Sequence, residues 1–135
     1  MSGFELAPET WRGLLGHLSR WVSNLRRAGR ARKLESRRAL QDVVRAVRRT
    51  QVMLRALERG EATASDEAGL AERWTELGFR LEELGLGKLA KRCEIRGRLG
   101  ADPGALDVEF LERADVQLDR IEKLARLTLR ELDTR

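Results

Sequence analysis

The stretch Leu40-Gln41-Asp42-Val43-Val44-Arg45-Ala46-Val47-Arg48-Arg49-Thr50-Gln51-Val52-Met53-Leu54 decides the fold. Apolar residues recur in it at steps of three and four, which places them along one side of an α-helix. Leu40, Val43, Val44, Val47, Thr50, Gln51, Leu54 and Leu57 make one stripe, and Arg38, Arg45, Arg48 and Arg49 lie opposite. A helix divided in this way needs apolar neighbours for one face and water or a partner for the other. The spacing predicts a helix over about residues 33–59, closed by Gly60, which can take the left-handed conformation that follows a helix.

The pattern repeats on both sides. Trp11, Leu14, Leu15, Leu18, Trp21, Val22 and Leu25 share a face between Pro8 and Gly29. After a small polar link, Ser65 is the expected N-cap of a third helix, with Asp66 and Glu67 at its positive end. That helix carries Leu70, Trp74, Leu77, Leu81 and Leu84 and stops at Gly85. A short fourth helix, about residues 87–96, presents Leu89, Ala90 and Cys93. Gly97, Gly100 and Asp102-Pro103-Gly104 then read as a loop. Asp107 is the expected cap of one long last helix, whose seam is Leu111, Ala114, Leu118, Ile121, Ala125, Thr128 and Leu132.

No segment alternates with period two over a useful length. The fold class is therefore all-α: an up-down bundle of four main amphipathic helices plus one short helix, in a single domain over residues 1–135. The expected shared core contains Trp11, Trp21, Val47, Leu54, Trp74, Leu118 and Ile121. Val116 and Leu127 fall on the far side of the last helix's seam, which makes a homodimer through that helix or through the first helix a further reading.

Charge separates the two halves of the chain. Residues 1–60 hold 14 Lys+Arg against 5 Asp+Glu, and residues 61–135 hold 13 against 17, for a total of +5. The excess of Arg over Lys is what GC-rich bacterial coding would produce, but coding bias does not explain why acids avoid the first half. Arg26, Arg27, Arg30, Arg32, Lys33, Arg37 and Arg38 crowd one segment, and Arg45, Arg48 and Arg49 continue it along the second helix. Such a face suits an acidic partner: a protein surface, or alternatively nucleic-acid backbone through residues 26–49. No aromatic residue interleaves with these arginines, so stacking on single-stranded bases is disfavoured. Phe79 stands among Glu72, Glu76 and Glu83, opposite its helix's apolar stripe, and is a second candidate partner contact.

Sites for chemistry are few. One His and one Cys leave no transition-metal ligand set, and no phosphate-binding loop or nucleophile elbow is present, so neither cofactor nor metal is expected. Cys93 falls on an apolar stripe and is expected to pack in the core. Arg12-Gly13-Leu14-Leu15-Gly16-His17 resembles the Arg-x4–6-His motif of the HEPN superfamily, whose helical-bundle members include ribonucleases. The resemblance spans six residues. In that family the motif sits on a late helix with a polar residue after the Arg, whereas here it lies on the first helix and is followed by Gly13. On an ideal helix Arg12 and His17 point roughly 140° apart. The expected function is a non-enzymatic binding or accessory subunit, with a nucleic-acid-binding regulator as the alternative and a HEPN-type ribonuclease as the remotest. The longest apolar runs are far short of a membrane span, and nothing calls for an oxidising compartment, so the expected setting is cytoplasmic.

Overall fold

The computed structural model describes residues 11–25 and 29–134. Its elements are α1 (Trp11–Leu25), α2 (Arg30–Glu58), α3 (Ala64–Glu83), α4 (Gly87–Ala101), a 3-10 turn (Pro103–Ala105), α5 (Val108–Ala114) and α6 (Leu118–Thr134). Among the described residues there is no strand. The helices form a bundle in which α3 packs on α4, α2 on both α3 and α6, and α1 on α6. Buried residues from α1, α2, α3, α4 and α6 join in one apolar cluster that includes Trp21, Val47, Trp74 and Ile121.

Two indole hydrogen bonds tie this core together. Trp74 Nε1–H donates to Thr50 Oγ1 at 2.9 Å, and the Thr50 hydroxyl donates to the Ala46 carbonyl at 2.7 Å. Trp21 Nε1–H donates to the Leu84 carbonyl at 2.7 Å, so α1 satisfies an orphan carbonyl at the end of α3. Each bond lets a large ring be buried without stranding its polar atom.

The structure corrects the sequence reading in four places. The cap of α3 is Thr63, two residues before Ser65. Its hydroxyl accepts from the Asp66 N–H at 3.1 Å while the Asp66 carboxylate accepts from the Thr63 N–H at 3.0 Å, a reciprocal box that Ser65 cannot make with Asp66. The fourth helix is not short: α4 continues through Gly97 and Gly100 to Ala101. Both glycines lie where α4 runs against α3. A Cβ on Gly97 would sit 3.1 Å from the Ala71 carbonyl oxygen and press on Thr75 Oγ1, and one on Gly100 would sit 3.1 Å from the Ala71 Cβ. They mark close approach of two helices, not a loop.

The long last helix is broken. α5 ends at Asp115, whose backbone is left-handed (φ 56°), and α6 restarts at Leu118. The buried Arg92 holds the break: its Nε donates to the Asp115 carbonyl at 3.3 Å, its Nη1 to the Lys88 carbonyl at 3.0 Å, and its Nη2 lies 3.7 Å from the Asp115 carboxylate. The short helix is therefore α5. Val116, expected on an outer surface, is buried in the chain's own core, which removes part of the motive for a homodimer through this helix.

Leu54 is not a core residue. It is 44% exposed, Leu57 39%, and no residue of α2 beyond Thr50 is buried. Glu122 of α6 meets Arg48 and Asp133 meets Arg37, so α6 covers α2 from Arg48 back toward its start and does not reach Leu54 and Leu57. Those two line a pocket with Trp74, Leu99 and Pro103 instead. Leu118 is half-buried against the core, and the side chains of Trp11, Arg12 and Leu15 lie outside the described residues.

Substitution should separate close approach from helix propensity. Gly97→Ala adds a methyl against backbone and a Thr75 hydroxyl already bonded to the Ala71 carbonyl, and is expected to destabilise by about 1–3 kcal/mol. Gly69→Ala, whose Cβ would meet nothing within 4 Å, should instead stabilise by about 0.5–1 kcal/mol. Thr50→Val leaves the Trp74 N–H without its acceptor and should cost about 1–3 kcal/mol. Denaturant midpoints of the three variants check all three signs.

Candidate partner-binding surface

α2 is 29 residues long, about 43 Å at the usual helical rise. Its arginines divide according to what stands beside them. Along the flank against α6, Arg48 forks onto Glu122 at 2.6 and 2.9 Å, and Arg37 pairs with Asp133. Arg126 also donates to Glu122, at 2.8 Å. Toward α3, Asp42 bridges Arg45 at 2.8 Å and Arg80 at 2.9 Å. Near the start of α2, Arg32 donates to the Glu83 carbonyl at 2.7 Å and so caps α3.

Between these flanks the charge is uncompensated. Arg30, Arg38 and Arg49 are exposed and have no ion pair or side-chain hydrogen bond among the described residues. Arg45 is exposed and, among the described residues, held only by its own helix's Asp42. Lys33 is half-buried; Arg26 and Arg27 lie outside the described residues. Asp115, a carboxylate that could have neutralised the stripe, is engaged by Arg92 and Arg120 instead.

The pairings leave their mark on proton affinity. The hydrogen bonds from Arg48 and then Arg126 hold the Glu122 carboxyl below its ordinary 4.5, and Glu122 in turn raises Arg48. Burial works to raise Asp42, and the hydrogen bonds from Arg80 and Arg45 outweigh it, leaving the carboxyl below its ordinary 3.8. Burial pushes the Cys93 thiol up, as suits a packed and unreactive sulfur.

Phe79 is 63% exposed on the outer face of α3, with Glu72, Glu76 and Glu83 also exposed. The candidate contact residues thus stand on two helices. His17 is half-buried on α1, and Arg12, the other half of its motif, has no described side chain. Among the described residues no group of His, Cys, Asp and Glu is placed to hold a metal, and no helix is long and apolar enough to cross a membrane.

A groove of about 620 Å³ opens between the last turns of α2 and the first turns of α3, with Val52, Met53, Ala56 and Leu70 within it and Arg48, Arg49 and Arg73 around it. Its sequence signal was Val52, an apolar residue inside the arginine sector and 57% exposed.

The lowered carboxylates fix the sign of an acid effect. Both lie lower in the folded chain than unfolded, so their contribution is fully present above about pH 4.5 and lost as pH falls through the folded values. Glu122→Gln should lower the melting temperature at neutral pH and flatten its fall below pH 4.5, as thermal melts across pH would show.

No protein-family model, curated protein or solved structure matches the chain.

Proposed function

We propose that the protein is a non-enzymatic helical binding subunit that docks an acidic protein surface along the outer face of α2. One observation carries this reading: among the described residues Arg38 and Arg49 have no ion pair and stand beside Arg45, although the flanking arginines have drawn acids from α2 itself and from α6. Among the described residues the outward sector receives no acid beyond Asp42 of its own helix. Exposed Leu34 (45%) and Val52 interrupt the same helix. Apolar residues set among arginines fit a protein interface, where Arg is enriched and apolar contact contributes, better than a row of phosphates. A cytoplasmic setting and a bacterial origin belong to the same reading, on the grounds of the single buried Cys93 and the Arg-rich composition.

The test is charge reversal of Arg38, Arg45 and Arg49 to Glu. Quantitative pull-down from the native cell should lose an acidic partner with the triple variant, while duplex DNA and RNA bind neither protein at moderate salt. Steep salt-dependent binding of duplex by the wild type, with the log–log slope falling by roughly 0.7–0.9 for each phosphate no longer neutralised, would transfer the function to nucleic acid. Loss of thermal stability in the variant, with no ligand for either protein, would make the stripe a structural feature only.

A further inference from the structure

We propose that the groove between the end of α2 and the start of α3 receives an acidic amphipathic helix of the partner protein. This rests on the reading of α2 as a protein-binding face and names what that face holds.

Size and lining point to a helix. The groove measures about 620 Å³ and follows α2 from Arg48 to Ala56, which is about 12 Å of helix. The apolar stripe of a docking helix, from residue i to i+7, spans about 10.5 Å. Val52, Met53 and Leu70 offer the apolar surface, and Ala56 and Gly69 are small enough to let a helix axis come close. A Cβ on Gly69 would meet nothing within 4 Å, so that side of α3 is open.

Charge selects an acidic helix. Arg49 on α2 and Arg73 on α3 face the groove from opposite banks, and neither has an ion pair among the described residues. Arg48 lines it too, already held by Glu122. The one carboxylate in the lining, Asp66, is committed to the N–H of Thr63. An apolar stripe flanked by Asp or Glu on both sides meets each of these features. Phosphate backbone would leave Val52 and Met53 unused, and a second copy seated groove to groove would bring the same arginines together.

The probe is a model peptide of about four turns, helical by design, with Leu at i, i+3, i+4 and i+7 and Glu elsewhere. Its control replaces every Glu by Lys. The Glu peptide should shift the backbone amide resonances of residues 49–56 and 66–73 and the Lys peptide should not. Gly69→Leu places its Cβ where nothing lies within 4 Å and favours the helix, so it should melt no lower than wild type yet bind the Glu peptide at least tenfold more weakly. Arg49→Glu with Arg73→Glu should do the same through charge. Arg113→Glu with Arg130→Glu, both exposed and on α5 and α6, lies outside the groove and outside the α2 face and should leave peptide binding within about twofold.

Wild-type-like binding by Gly69→Leu, equal binding of the Lys peptide, or no shift at millimolar Glu peptide each overturns the groove. None of these touches the pull-down test of the outer face, which stands or falls separately. Sedimentation showing a wild-type dimer that Gly69→Leu disperses would give the groove to a second copy and also overturn the proposal.

Discussion

The contact between Arg92 and residue 115 governs much of what is accessible on this molecule. A buried guanidinium spans the Lys88 carbonyl of α4 and the carbonyl and carboxylate of Asp115, and the chain there turns left-handed. A non-glycine residue in that conformation is uncommon, although Asp tolerates it better than most. The hydrogen bonds to a charged donor offset its cost and leave no polar atom of the guanidinium stranded in the core. Because the helix breaks at that point, Val116 enters the core and α6 lies against the first two-thirds of α2.

Much of the architecture was legible because helical spacing is read residue by residue. The stripes of α1, α2 and α3, the ends at Gly60 and Gly85, and the Asp107 cap with its 2.7 Å bond to the Phe110 N–H all follow from local chemistry. What spacing could not show was set by a neighbour. Gly97 and Gly100 read as breakers because their cost to an isolated helix is visible in sequence and the closeness of α3 is not. The seam from Leu111 to Leu132 keeps its three-four rhythm straight across the break, since a buried Arg from another helix leaves no trace in that rhythm. Leu54 and Leu57 carry a core pattern and lack a covering element.

The candidate surface was legible as composition and not as pairing. Sequence located the arginines on α2; only coordinates divide them into those held by Glu122, Asp133 and Asp42 and those left to solvent. The division also changes what each arginine can contribute. A forked Arg48 has a partner to give up before it can serve another protein, whereas Arg38 and Arg49 would enter an interface with no bond to break among the described residues. Exposed pairs of the Arg45–Asp42 kind are individually weak, so Arg45 can exchange its partner at little cost.

The close seat of α4 on α3 has a consequence for how the chain condenses. Only residues 84–86 separate the two helices, so bringing them together closes a very short loop and forfeits little chain entropy. Fixing α2 against α6 is different: Arg48 and Glu122 are 74 positions apart. The α3–α4 hairpin is the pairing that the unfolded chain reaches most cheaply, and its glycine-lined seam admits the two backbones without rearranging side chains. The link from α2 to α3, residues 59–63, is nearly as short, so the contact of α6 is the one long-range closure that the cationic helix waits for.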